Sequence, residues 1–193
     1  ISLGLVGSEM CIRDSFCTAD RDGMMVSFIQ SNYRGFGSGI VIPGTGISMN
    51  DRMENFRFDP AHANCLEGGK RPYHTIIPGF LSKEGKAVGP FGIMGGFMQP
   101  QAHVQVVENL IDWHLNPQQA LDSPRWQWIG GKKIDIEADV PPAEVLKLIR
   151  RGHEVTVKAD LTAMGRGQMI LRAPDGTLCG ATEKRSDGQI MSY

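Results

Sequence analysis

The chain has 193 residues, with 20 Lys and Arg against 21 Asp and Glu, for a net charge of −1. That length suits one domain with a substantial core. Near-neutrality excludes the concentrated basic field that nucleic-acid and membrane-surface proteins use, and no apolar run approaches the ~20 residues that span a bilayer. The four cysteines, Cys11, Cys17, Cys65 and Cys179, include no C-x-x-C pair, and the five histidines are scattered. No metal site and no cofactor are expected.

Residues 1–15, ISLGLVGSEMCIRDS, have neither the basic start nor the small-residue cleavage site of a signal peptide. They resemble a peptide found where adaptor sequence has been translated as coding sequence. The segment is expected to be foreign, leaving a domain over residues 16–193.

Phe16–Asp20 reads as a strand, Asp22-Gly23 as a hairpin turn and Met24–Ser31 as the returning strand. A glycine-rich loop follows (residues 32–39), then the apolar stretch Ile40–Ile42 and an irregular stretch over residues 50–72. His74–Phe80 and Ala87–Met94 form a second hairpin, apolar enough to be expected buried. Gly95-Gly96 lead into the clearest helix, with Val104, Val107, Leu110, Ile111 and Leu115 on one face. Asn116-Pro117 suit the cap and first turn of a short helix. Ile134 and Ile136 alternate with Asp135 and Glu137, predicting a solvent-facing strand.

Pro141-Pro142 open another helix, with Val145, Leu146 and Ile149 apolar, and Gly152 closes it. His153–Val157 is a strand, and Gln168–Ala173 with Thr177–Ala181 form a last hairpin. Trp113, Trp126 and Trp128 are expected as packing or rim residues. The separation of strands from helices predicts an α+β layered domain rather than a βαβ repeat.

Single motifs carry little chemistry. The Gly35–Gly39 cluster lacks dinucleotide spacing and a following helix. Gly95-Gly96 has two meanings open to it: close strand–helix packing, or two bare N–H groups that hold a developing oxyanion.

The order of segments says more. Ala19–Gly23 (ADRDG), GFGSGI from Gly35, GTGI from Gly44, GKRP from Gly69, Gly95-Gly96, Asn116 to Arg125 (NP-x-x-AL-x-x-PR), Gly152-His153 and the ending Gly188-x-x-x-x-Tyr193 follow one another. In this order they resemble the small subunit of gamma-glutamyltransferases, over about Phe16 to Tyr193, and most closely the glutamyltransferase-like and cephalosporin (glutaryl) acylase branch. The resemblance implies an N-terminal-nucleophile αββα sandwich, of which this chain is the small-subunit half. It implies a precursor that cleaves itself before a threonine. That threonine's hydroxyl attacks a gamma-glutamyl or glutaryl amide and its α-amine serves as base, without cofactor. It also implies a large subunit as partner, absent from this chain.

Carried over by position, the nucleophile slot holds Arg13, a cation that cannot attack a carbonyl. Gly95 and Gly96 match the oxyanion pair. Ser31 matches a substrate-contacting threonine, and Tyr33 stands where the family has an asparagine. The two positions that hold the substrate's α-ammonium are Arg52 and Asn55, and the paired serines for its carboxylate are His74 and Thr75. Arginine repels an ammonium and attracts a carboxylate, which points to a glutaryl-like acyl group; pairing of Arg52 with Glu54 or Asp51 is the plainer alternative. As written, the chain is expected to be an inactive fragment of an amide hydrolase or acyltransferase. A non-catalytic pseudoenzyme or partner subunit of the same fold is the alternative.

Overall fold

The computed structural model describes residues 13–192, with only the backbone described at Arg13 and Asp14. Residues 1–12 of the expected foreign segment, and Tyr193, lie outside the described residues.

Strands β1 (Arg13–Ala19) and β2 (Met25–Ser31) pair antiparallel from Arg13 opposite Ser31 to Ala19 opposite Met25. Asp20 closes their turn by accepting the Met24 N–H at 2.9 Å, and Gly23 supplies the positive φ of 97°. Alternation then sorts the side chains. Ser15 and Ile29 are buried, while Phe16, Val26 and Phe28 stand exposed on the outer face. There the Phe16 and Phe28 rings stack at 4.9 Å.

This hairpin lies face to face on a four-stranded sheet of order β3-β4-β8-β9, made of β3 (Pro78–Lys83), β4 (Lys86–Met94), β8 (Arg166–Arg172) and β9 (Leu178–Thr182). Ser27 Oγ donates to the Phe91 carbonyl at 2.7 Å across the gap. Helices α1 (Met98–Ile111) and α2 (Pro117–Asp122) cover the other face of the four-stranded sheet. Phe91, Ile93 and Met169 from the sheet, Met98, Ala102 and Val106 from α1, and Leu121 from α2 form the core. The layers are therefore helix, sheet, sheet, with an apolar outer face on the β1–β2 sheet. Among the described residues, no helix is long and apolar enough to cross a membrane.

The Asn116 cap is complete. Its side chain accepts the Gln119 N–H at 2.9 Å, and the Gln119 side chain accepts the Asn116 N–H at 3.3 Å, with Pro117 in the first turn.

Four expectations need correction. First, α1 presents Met98, Ala102 and Val106, at four-residue spacing, to the sheet; Val104 and Ile111 are 57% and 56% exposed, and Val107, Leu110 and Leu115 only flank the core. Second, β3 is an edge strand and mostly exposed, so only β4 of that hairpin is buried.

Third, β5 (Trp126–Gly130), β6 (Lys133–Glu137) and β7 (Glu154–Lys158) form a separate sheet in which β6 and β7 pair in parallel. Helix α3 (Pro142–Arg150) makes the crossover, so the layered fold carries one βαβ unit. Fourth, β6 does not face solvent: Ile134 and Ile136 are buried and Glu137 is 1% exposed.

Glu137 is buried because it belongs to an internal charge cluster. Arg185 donates to both of its oxygens at 2.7 Å and to Glu183 Oε1 at 2.5 Å. Arg125 Nη2 donates to Glu183 Oε2 at 2.7 Å. Glu183 also accepts the Gly167 N–H at 3.0 Å. Burial pulls the Arg125 pKa down, with Glu183 opposing; burial also acts to lower that of Arg185, but Glu137 and Glu183 outweigh it and raise it.

Removing one partner of such a cluster strands a buried charge. Arg185→Met is expected to cost about 3–5 kcal/mol in denaturant unfolding. Adding Glu137→Leu should recover much of that loss, and a double variant no more stable than the single one contradicts the charge-pairing account.

Candidate active site

Gly95 and Gly96 follow β4 directly, at φ 149° and 61°. Their carbonyls accept the Met98 and Gln99 N–H groups, each at 3.1 Å, which starts α1. Neither glycine's own N–H has a backbone acceptor among the described residues. A Cβ on Gly95 would come within 3.1 Å of the Gly165 Cα. Close packing thus explains why position 95 must be glycine, and the unused N–H groups remain available for a ligand; the two meanings coexist.

Gly165 is itself fixed. Its carbonyl and that of Met164 accept from Arg125 Nη1 at 2.9 and 3.1 Å. The buried charge cluster thereby holds the strap that backs the glycine pair.

A cavity of about 170 Å³ opens beside Gly96, walled by Tyr33, Tyr73, His74, Thr75 and Phe97. Arg52, on a 3-10 turn (Arg52–Asn55), bonds the cavity wall: its Nε donates to Thr75 Oγ1 at 3.0 Å, and its Nη2 to the Ser31 carbonyl. The alternative pairing with Glu54 or Asp51 is not what these groups make. Glu54 is held by Arg34 at 2.8 Å, and Asp51 accepts the Arg34 N–H at 3.1 Å. Ser31 Oγ accepts the Tyr33 N–H at 2.8 Å, so this hydroxyl shapes the turn beside the cavity.

Asn55 is committed to the wall. Its Oδ1 accepts from the Tyr33 hydroxyl at 3.1 Å and the Tyr73 hydroxyl at 3.0 Å, and its Nδ2 donates to the Arg52 carbonyl at 3.1 Å. Burial, then Tyr33, raises the Tyr73 pKa against the lowering effect of Arg57, so the phenol stays a donor at neutral pH. His74 Nδ1 accepts the Ile76 N–H at 3.3 Å, at the exposed rim.

Sequence reasoning gave no structural role to Tyr33, Tyr73, Phe97 or Gln99, although it placed Tyr33 where the family has an asparagine. Tyr33 is 6% exposed and sits at φ 79°, a costly conformation for a bulky residue that recurs at functional sites. Tyr73 and Phe97 add aromatic wall. Buried Gln99 pins the Thr75 segment to α1: its Nε2 donates to the Thr75 carbonyl at 2.7 Å and its Oε1 accepts the Ile77 N–H at 3.1 Å. Only the apolar setting of Tyr33 and Gln99 reveals them, and that setting is tertiary.

Of the expected residues, His74, Thr75 and Gly96 line this cavity, Ser31, Arg52 and Asn55 bond to residues of its wall, and Gly95 lines a neighbouring cavity. At position 13 the backbone pairs directly with Ser31. Among the described residues no cluster of His, Cys, Asp and Glu could hold a metal ion.

Two sheets face to face, helices on one outer side and a glycine pair ending an inner strand form the small-subunit half of an N-terminal-nucleophile hydrolase sandwich. The chain belongs to the gamma-glutamyltranspeptidase family, which it matches over residues 15–193. It is similar to the oxamate amidohydrolase proenzyme of Klebsiella pneumoniae, at 38% identity over 180 residues, covering 90% of this chain and 34% of that protein.

Among solved structures, it superposes on a cephalosporin acylase from Bacillus halodurans with a TM-score of 0.89 at 58% identity, covering 93% of this chain and 34% of that one. It also matches a gamma-glutamyltranspeptidase chain from Pseudomonas nitroreducens (TM-score 0.81, 26% identity), covering 93% of this chain and 98% of that chain. The chain spans about a third of the length of the curated relatives it matches. It is the small-subunit part of a family of transferases and hydrolases.

The glycine-pair geometry can be checked by comparison. Gly39 has φ 75° and open space around it, whereas Gly95 is both left-handed and crowded. Gly39→Ala should cost about 1 kcal/mol for the backbone alone. Gly95→Ala should cost at least about 1 kcal/mol more in thermal or denaturant unfolding.

Proposed function

We propose that residues 16–193 are the acyl-binding half of an amide hydrolase or acyltransferase acting on gamma-glutamyl or glutaryl amides, and that this chain lacks its nucleophile. The observation that carries the reading is Arg52. Its guanidinium bonds Thr75 at the cavity and the carbonyl of Ser31, the residue paired with position 13.

In the intact enzyme a threonine would stand at position 13. Its hydroxyl attacks the amide carbonyl while its α-amine takes the proton. The Gly95 and Gly96 N–H groups stabilise the oxyanion. The amine leaves, and water or a second amine then takes the acyl group. Arg52, with Thr75 and His74, binds the far end of the acyl chain. A fixed cation there favours a carboxylate over an ammonium, so glutaryl-like acyl groups are preferred to gamma-glutamyl ones.

The expected partner is the family's large subunit. The exposed Phe16, Val26 and Phe28 on the outer face of β1–β2 support this, because an αββα sandwich has a helical layer there. The reading of residues 1–15 as foreign is supported by a family match that begins only at the segment's last residue, Ser15, and by the arginine at position 13. One observation favours the pseudoenzyme alternative: Arg13 and Asp14 continue β1 in register without a break. The coding sequence upstream of Phe16 in the source gene decides between them: a threonine at the start of β1 supports the enzyme, a genuine arginine the pseudoenzyme.

Two outcomes are expected. The purified chain should release no p-nitroaniline from gamma-glutamyl or glutaryl p-nitroanilide, and turnover above the buffer blank contradicts the missing nucleophile. A chain beginning with threonine at position 13, co-expressed with the large subunit, should favour the glutaryl anilide by about tenfold in kcat/KM, as a charge-assisted hydrogen bond allows. Arg52→Gln should erase that preference.

A further inference from the structure

Thr75, which meets Arg52 at the cavity wall, is held from behind by α1. The Gln99 side-chain amide bonds the Thr75 carbonyl and the Ile77 N–H. One turn further along α1, on the same face, stands His103. Its Nδ1 lies 2.6 Å from the Gln99 carbonyl. A carbonyl only accepts, so Nδ1 carries the proton of the neutral ring and Nε2 presents a bare lone pair. Nε2 is buried and makes no hydrogen bond among the described residues.

The ring is packed into the junction between α1 and the chain that leads from Thr75 into β3. It meets the Phe91 ring of β4, with centroids 5.0 Å apart and planes tilted by 52°. Phe91 pairs with Gly79 of β3 and covers it so closely that a Cβ there would come within 2.6 Å of the ring. Gln99, His103, Phe91 and Gly79 therefore form one set of contacts around residues 75–79.

A second proton on this ring is poorly provided for. Burial is the largest influence and lowers the His103 pKa; the Gln99 and Ile77 backbones oppose the lowering, and the Arg125 charge adds to it. No carboxylate offsets these effects. Of the other titratable groups on the neighbouring elements, Glu108 lies beyond the i+4 position on α1, and Asp122 of α2 is bonded to Gln118. Lys83 and Lys86 are exposed at the β3–β4 turn, and His74 is at the exposed rim. A group that is hard to protonate in the closed state favours, once protonated, the state in which water reaches it. The junction is therefore at full strength above the ordinary histidine pKa of 6.5, and it weakens as pH falls from there through the lower value of the folded chain.

We propose that His103 is a positioning residue for the acyl cavity: its neutral Nδ1–H form closes the Gln99 turn against residues 75–77, and protonation of Nε2 opens that junction and loosens Thr75. The inference rests on the Thr75 side as the acyl cavity, and it adds an acid-sensitive support behind that wall.

Nuclear magnetic resonance of the 193-residue chain tests this without a substrate. Ring nitrogen spectra should show His103 as the Nδ1–H tautomer at neutral pH, with a titration midpoint below 6.5. The Gln99 side-chain amide and the Arg52 Nε–H, which reports the Thr75 hydroxyl, should shift with the same midpoint. Protection of the Ile77 amide against hydrogen exchange should fall by up to about tenfold for each unit by which that midpoint lies below 6.5. His103→Asn can keep a donor near the Nδ1 position, so it should retain the neutral-pH signals and lose the titration. An Nε2–H tautomer, a midpoint at or above 6.5, Gln99 and Arg52 signals that follow the His74 ring instead, or a titration that survives His103→Asn overturns the inference. Should that variant not fold, the midpoints in the unaltered chain decide alone. Failure of these tests leaves the acyl assignment standing, whereas a chain that passes them and does not bind glutarate counts against the acyl assignment alone.

Discussion

The charge cluster of Arg125, Glu137, Glu183 and Arg185 is the constraint on which the other arrangements rest. Arg125 and both glutamates are buried almost completely, as is the Arg185 side chain. Isolated, each would carry a desolvation cost of several kcal/mol; together, with good hydrogen bonds, they compensate one another. The cluster spans the molecule. Glu137 ends β6, Glu183 follows β9, and Arg125 precedes β5. Both arginines also donate to the Leu121 carbonyl at the end of α2, at 3.0 and 2.9 Å, satisfying a helix terminus that packing removes from water. The mixed three-stranded sheet is thus fastened to the layered core by charge as well as by apolar contact.

The consequence reaches the cavity. Arg125 fixes the Met164 and Gly165 carbonyls, and Gly165 lies against Gly95. A shift of that strap would move the turn that carries the two glycines. On the opposite wall, a second set of bonds does comparable work. Asn55 holds two tyrosine hydroxyls, Ser31 holds Tyr33 in its positive φ, and Gln99 holds Thr75. Binding groups placed by such supporting contacts keep their geometry before any ligand arrives, which is the requirement for an oxyanion site that costs no reorganisation.

Where the sequence was informative, a local rule applied. The Asp22-Gly23 turn, the Asn116-Pro117 cap with Gln119 and the closing of α3 at Gly152 each depend on residues within a few positions. Gly95-Gly96 was visible because a strand pattern ended there and a helix pattern began. What escaped was long-range. Glu137 alternates with isoleucines as a solvent-facing residue would, and only Arg185, 48 positions away, brings it inside. The buried face of α1 contains Gln99 and Gln105, which hydropathy assigns to solvent. Gln105 is buried because it bonds the Trp126 backbone in both directions, at 2.8 and 3.1 Å. The parallel pairing of β6 and β7 follows from the α3 crossover, which strand-by-strand patterns do not encode.

The central functional claim is that Arg52 and the glycine pair bracket an acyl chain with a carboxylate at its end. Their separation is set by the Thr75–Gln99 and Ser31–Tyr33 bonds rather than by any one loop. A crystal structure of the chain soaked with glutarate measures this directly. One carboxylate is expected on the Arg52 guanidinium and Thr75 hydroxyl, with the other end within hydrogen-bond distance of the Gly95 and Gly96 N–H groups. A glutarate that occupies the cavity without touching Arg52, or that leaves both glycine N–H groups unengaged, contradicts the claim.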